Sequence, residues 1–296
     1  MTTVAVLGTF DTSAENSESV ARHIEAAGGR AIRIHRDEPW SSKIRKMLPS
    51  QVVYGTGFGF AAKLWALGRA LGKRTINHWV GTDVLMALED RPMRTMARRA
   101  APFIGLHLTV APWLVEELAT SGIRASLIPL VTPVRYDLRR GPGPAGVLAY
   151  LPDDRADFYG SQIVYAAARQ MPEIPFAVVA GTQEKQPAIP NIRYFGWVDD
   201  IAPLYEQYPI LLRVAQHDGL PKMVLEALAF GNQVIFEYPL EGCHHARTEA
   251  EALSAIRDIV AESCPINEAG SRLVQEHYRH DQVVTALLQT LGVSPR

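Results

Sequence analysis

The sequence predicts an α/β chain built from two Rossmann-like domains, each a doubly wound parallel sheet. Two observations carry this. Short apolar runs alternate with helical-period segments along most of the 296 residues, as in a chain of βα units. That alternation is interrupted once, at VTPVRYDLRRGPGPAG (131–146), where Pro, Gly and Arg break both periods and mark an interdomain connection. The length agrees, because a chain of this size prefers two domains to one.

Element by element, TVAVLG, RAIRIH, QVVYG, RTINHW, HLTVA and SLIPL read as strands up to residue 130. Helical patterns lie between most of them, at 13–27, 60–71 and 112–120. Thr12 and Glu15 have capping-box spacing ahead of the first helix. After the connection, VLAYL, FAVVAG, IRYFG, ILLRV and QVIFE repeat the alternation. The expected boundaries are 1–135 for the first domain, 136–280 for the second and 281–296 for a closing helix. Two such sheets facing each other across a cleft are the economical packing.

Composition narrows the class. With 47% apolar residues the chain can bury a large core, and no window approaches eighteen consecutive apolar residues. The start MTTVAVLG lacks the basic flank and cleavage site of a signal peptide. Two cysteines, Cys243 and Cys264, are too few for a disulfide framework. A cytoplasmic protein is expected. Charge is uneven: residues 1–135 hold 17 basic and 11 acidic side chains, and 136–296 hold 13 and 20. The basic first domain fits an anionic acceptor or peripheral contact with an anionic membrane surface. An ordinary solvated surface is the plain alternative. No nucleic acid is expected, since no aromatic-interleaved basic motif or zinc module appears.

The most informative stretch is QHDGLPKMVLEALAFG (216–231). Upstream, PILLRVA (209–215) reads as a parallel strand buried on both faces, so its carboxyl end is where an α/β sheet presents ligand groups. Asp218 and Gly219 make the turn, and Pro221 suits a first helical residue. The amides of Leu220, Lys222 and Met223 would then face an anion with the positive end of the helix dipole, and Lys222 adds a mobile charge. Glu226 lies four residues beyond Lys222, roughly 6 Å further along the helix axis, about a diphosphate-to-ribose step. Among apolar neighbours such a carboxylate is costly unless it is hydrogen-bonded. The plain alternative makes Asp218 a cap and Glu226 a solvent-facing residue.

This segment resembles the signature of retaining glycosyltransferases of family 4, in which an acid, seven intervening residues and a Glu precede Ala-x-Ala-x-Gly-like helix ends. Here the first acid is Asp218 where the family has Glu. The resemblance implies the GT-B architecture, with a last helix crossing back to the first domain. It implies that Asp218 contacts donor-sugar hydroxyls, that the amides after Gly219 hold the diphosphate and that Glu226 holds the ribose. Further stretches are similar in the same order: 108–131, 191–212, 232–238 and the closing helices.

Other site residues follow from the same resemblance. The loop Gly8, Thr9, Phe10 would lie beside the donor. In YLPDDRADFYGS (150–161), Arg155 stands where an Arg or Lys for the diphosphate is expected, while the customary Lys-Gly appears as Tyr159 and Gly160. Arg213 is a second candidate cation. INHWVGTDV (76–84) resembles a His-Trp-x-Gly-Ser/Thr-Asp stretch. It would let His78 orient sugar or acceptor and Asp83 accept the acceptor proton. A satisfied core histidine and a helix N-cap aspartate are the alternatives.

GTGFGF (55–60) and GRALGKRT (68–75) imitate nucleotide loops at the wrong spacing and read as structural. CHHAR (243–247) has no further ligand at zinc spacing, so no metal is expected.

The expected chemistry is transfer of a sugar from a UDP- or GDP-linked donor with retention, without metal or cofactor, to a glycan, lipid-linked or other anionic or small-molecule acceptor. An epimerase or phosphorylase on the same fold, and a catalytically degenerate nucleotide-binding protein, are the competing classes.

Overall fold

A computed structural model describes residues 1–10, 16–58, 62–130 and 144–294. The Thr12/Glu15 capping box, the end of GTGFGF and the connection at 131–143 lie outside the described residues. The chain divides into two compact units, Met1–Pro133 with His280–Arg296, and Val134–Arg279.

The first unit contains β1 (Thr3–Gly8), α1 (Asn16–Ala26), β2 (Arg30–His35), α2 (Trp40–Met47), β3 (Val52–Thr56) and α3 (Ala62–Ala70). It continues with β4 (Arg74–Trp79), α4 (Thr82–Glu89), α5 (Arg91–Ala100), β5 (Leu106–Thr109), α6 (Pro112–Thr120) and β6 (Ala125–Leu127). Its sheet has the order β2-β1-β3-β4-β5-β6, with every pairing parallel. β1 is buried along its whole length, as an internal parallel strand must be when helices cover both faces.

The second unit contains β7 (Val147–Tyr150), α7 (Ser161–Gln170), β8 (Phe176–Val179), β9 (Ile192–Gly196), α8 (Ala202–Gln207), β10 (Ile210–Arg213) and α9 (Lys222–Phe230). There follow β11 (Gln233–Phe236), β12 (Cys243–His245), α10 (Glu249–Ala261) and α11 (Glu268–His277). Its six strands run β12-β11-β10-β7-β8-β9, again all parallel. β10 is central and wholly buried. β12 is an addition to the expected elements: three residues, Cys-His-His, carry no strand period, and pairing with β11 creates it.

The last helix, α12 (His280–Leu291), belongs to the first unit. Val283, Leu287, Leu288 and Leu291 join Val4, Val6, Ile24 and Tyr54 in one core cluster. Arg74 Nη2 donates to Thr290 O at 2.9 Å, and Thr2 Oγ1 to Gly292 O at 2.6 Å, which fixes the end of this helix beside β1 and β4. Among the described residues no helix is long and apolar enough to cross a membrane.

Two histidines are built into the first sheet. His78 is fully buried and His107 nearly so. Burial pushes both down to about 4, with hydrogen bonds to the main-chain oxygens of Ile128 and Ala101 respectively opposing the shift. A depressed base stabilises the fold fully above its unfolded value of 6.5 and loses that contribution as pH falls toward 4. Between pH 7 and pH 5 each should remove about 2 kcal/mol of unfolding free energy. Urea unfolding at the two pH values, with His107→Gln cancelling one share, checks this.

Candidate functional site

In the second unit the site residues collect at the carboxyl edge of the sheet, around the end of β10. An apolar strand places Arg213 there almost without exposure. A buried guanidinium needs a counter-charge, and the chain supplies it five residues later. Arg213 Nε donates to Asp218 Oδ2 at 3.0 Å, and Nη2 donates to the same oxygen. Burial alone would lower the Arg213 pKa; the Asp218 charge and hydrogen bonds outweigh it and hold it above the ordinary value. The guanidinium carbon lies over the rings of Tyr150 and Tyr159, at 5.0 and 4.7 Å from their centroids. Asp218 Oδ1 accepts from the Gly219 amide at 2.9 Å, so the acid orders its own turn instead of capping α9.

The stretch 151–160 is locked against that turn. Gln216 N donates to Phe158 O at 2.8 Å. Gly160 has φ 77°, and a Cβ there would stand 2.2 Å from Val214 O, so only glycine permits the approach. Arg155 is exposed and lies over Phe158 and Tyr159, 4.4 and 5.5 Å from their centroids. Tyr159 is raised by burial, with Arg213 opposing.

α9 opens without a side-chain cap. Pro221, expected as its first residue, is instead the N-cap, with φ −66° and ψ 137°, and the helix starts at Lys222. The reason is local: proline fixes only φ, and the turn after Asp218 keeps ψ extended. Glu226 is buried on this otherwise apolar helix, not turned to solvent. Tyr205 Oη donates to its Oε2 at 3.2 Å, and Lys222 Nζ stands 3.1 Å from Oε1. Burial, then the Glu226 charge, lifts the Tyr205 phenol well above its ordinary value, so it stays a donor. Asn232 Nδ2 fixes Tyr205 from behind, donating to its carbonyl at 3.0 Å. Glu226, Lys222, Tyr205 and Phe230 line a cavity of about 290 Å³ with Asp199, Asp200, Ile201 and Ala202.

A second buried acid was not among the expected residues. Glu237, just after β11, is 2% exposed, and neither carboxyl oxygen has a hydrogen-bond partner. Burial raises it to about 8, and the Asp218 charge adds to the rise; weak, poorly aligned hydrogen bonds from the Glu237 and Ala215 amides and the Arg213 charge oppose it. An acid ending the apolar run QVIFE was the available signal, the same one that marks Asp218 after ILLRVA. Tyr205 carried no such signal, because its value lies in facing Glu226.

In the first unit the carboxyl edge holds Gly8, Thr9, Phe10, His78 and Asp83. A Cβ on Gly8 would fall 1.9 Å from Ser17 Oγ, so the loop and α1 close tightly there. His78 Nδ1 bonds Tyr54 Oη at 2.8 Å and its Nε2 bonds Ile128 O at 2.7 Å. Both ring nitrogens are spent. Asp83 accepts from Phe58 N at 3.1 Å, Val80 N at 2.9 Å and Gly81 N at 3.0 Å, tying two loops together. Desolvation nonetheless raises its pKa against those three donors. Among the described residues no group of acids, histidines and cysteines is placed to hold a metal ion.

The sequence matches no protein-family model and has no significant match among curated proteins. Solved structures do resemble it. Sucrose-phosphate synthase from Thermosynechococcus elongatus superposes with a TM-score of 0.78 over 98% of each chain at 13% identity. The chain has the GT-B fold. Anabaena HepE in complex with UDP-glucose gives 0.72 over 99% of this chain and 100% of that one, at 11% identity. A glycosyltransferase from Rickettsia africae gives 0.70 over 98% and 97%, also at 11%.

Removing one member of a buried ion pair leaves the other uncompensated, which costs more than the pair itself contributes. Asp218→Asn should therefore lower stability by about 3 kcal/mol. Denaturant unfolding measures it, and an Asp218→Asn/Arg213→Met double variant should recover most of the loss.

Proposed function

We propose that the protein is a glycosyltransferase that takes a sugar from a UDP- or GDP-linked donor bound to its second unit. The observation that carries this is Glu226, a buried carboxylate on an apolar helix, lining a cavity next to an uncapped helix start. Two ribose hydroxyls suit an acid held by only one phenol and one mobile ammonium. The diphosphate would meet the amides of Leu220, Lys222 and Met223, with Lys222 and Arg155 as exposed cations. Gly219 and Pro221 shape that turn. The structural likeness to HepE, solved with UDP-glucose, supports the same reading.

In this reading Asp218, held in its turn by Arg213 and the Gly219 amide, receives donor-sugar hydroxyls. The bond to the diphosphate lengthens first, and the helix start with Lys222 stabilises the departing charge. The acceptor hydroxyl then attacks from the face the leaving group occupied, passing its proton to the leaving phosphate, with retention. No protein nucleophile or metal is required. Gly8, Thr9 and Phe10 retain their proposed place beside the donor. His78 and Asp83 act by ordering their loops, as their contacts support, and not as proton carriers. The acceptor is a glycan or another anionic molecule, for which the basic excess in residues 1–135 is suited. That surface also suits peripheral contact with anionic lipid for a cytoplasmic protein.

Thermal denaturation with UDP, GDP and their sugar conjugates tests the reading. A ligand at a hundred times its dissociation constant should add about 2.7 kcal/mol. Glu226→Gln should weaken nucleotide binding by about tenfold, the worth of a hydrogen bond to a charged group. No stabilisation by either nucleotide series would reject the proposal. With a responding donor, NMR of the slowly released sugar should show the donor's anomeric configuration; inversion would reject retention, and no turnover would favour a binding protein.

A further inference from the structure

The outer side of α2 carries a row of apolar side chains where a surface helix is ordinarily polar. Trp40, Ile44 and Leu48 are 47, 38 and 53% exposed, and a spacing of four sets them one above another along the helix. Leu48 follows the last helical residue, but its φ of −53° and ψ of −47° continue the same geometry. The packed side is a different one. Met47 is buried, and a Cβ on Gly68 of α3 would stand 3.3 Å from its Cε, so the two helices lie side by side.

The charge around this row has a single sign. From 39 to 82, a stretch that contains both helices, the chain has seven Lys and Arg side chains and no Asp or Glu. Arg45, Lys63 and Arg69 are exposed. Lys73 reaches one end of the row, where its Nζ donates to Leu48 O at 2.8 Å. At the other end Lys43 Nζ stands 5.6 Å from the centroid of the Trp40 ring while donating to Arg36 O at 2.6 Å. Lys46 is paired with Glu38 at 2.7 Å, so Arg45 is the cation of α2 open to an outside anion. Apolar side chains bordered by cations match a surface whose outer layer is anionic and whose next layer is hydrocarbon. A polyanion without such a layer would engage the cations and leave the row in water.

We propose that α2 docks the protein on an anionic lipid surface, with Trp40, Ile44 and Leu48 entering the acyl boundary and Arg45 and its neighbours meeting the headgroups. This deepens the peripheral lipid contact inferred above from charge alone, and it is independent of the donor site. An indole at the headgroup level and a short apolar row give reversible attachment, not insertion.

Cosedimentation of the full chain with vesicles tests this. The wild type should bind vesicles of equal parts phosphatidylglycerol and phosphatidylcholine, bind phosphatidylcholine alone far more weakly, and be released by added salt. Arg45→Ala and Ile44→Ser should each weaken binding to the mixed vesicles about fivefold, the first through charge and the second through apolar area. Both positions are exposed, and an unchanged urea transition verifies that the variants are folded. Absence of wild-type binding to the mixed vesicles overturns the inference, as does an Ile44→Ser variant that binds like the wild type, since charge alone would then hold the protein. A wild-type dimer in light scattering that Ile44→Ser converts to monomer also overturns it, because a second copy would then cover the row. None of these outcomes alters the nucleotide shifts, so the donor reading stands or falls separately.

Discussion

The buried pair of Arg213 and Asp218 is the constraint around which the second unit's site is arranged. Stripping a guanidinium of water costs several kcal/mol, which only close, well-aligned acceptors repay. Arg213 sits at the end of a central strand, so its partner has to come from the turn directly after it. That requirement fixes the turn. Asp218 folds back, Gly219 donates to it, and the chain emerges at Pro221 already aimed into α9. The rings of Tyr150 and Tyr159 pack against the guanidinium, which draws the segment after β7 across the same strand end. Gly160 completes the lock because no side chain fits against Val214 O.

The position of Glu226 depends on that lock. Given where α9 starts, its second turn sets Glu226 opposite Tyr205 of α8, and Asn232 holds α8 by bonding the carbonyls of Tyr205 and Tyr208. The carboxylate is thus reached from two sides, by a phenol that resists ionisation and by an ammonium one helical turn away. Lys222 is half exposed, so it can leave Glu226 for a phosphate at little cost. The tyrosine cannot.

Most of the architecture was legible because both sheets are parallel. Their strands are continuous apolar runs, and the turns between strand and helix are marked by Gly, Pro and Asp. Register and strand order came from no such mark, and neither did β12, whose Cys-His-His acquires strand geometry only from β11. Asp218 and Glu226 were legible because a charge inside or shortly after an apolar run is anomalous. What they bond to was not. Arg213 reads as a cation aimed at a ligand until the fold shows it committed to Asp218, and Tyr205 is an ordinary residue of a short helix until Glu226 is seen beside it. Local sequence reports where polar groups are costly; only tertiary packing decides who compensates them.

That distinction separates the two carboxyl edges. In the first unit the ionisable groups there are spent on the protein: His78 uses both nitrogens, and Asp83 gathers three backbone amides. The orphaned buried side-chain atoms described in that unit include the Trp65 indole, the Thr109 hydroxyl and the His280 Nδ1, each a single polar atom. In the second unit a whole carboxyl group is left over: neither Glu237 oxygen meets a donor in hydrogen-bond geometry. Buried polar groups of native proteins are paired nearly always, so surplus capacity that is also charged marks either strain or a function. Here the surplus lies beside an uncapped helix start and a cavity lined by a buried acid. Under the proposed function, the carboxyl edge of the second unit is thus where a polyhydroxylated, anionic ligand would gain most from the protein.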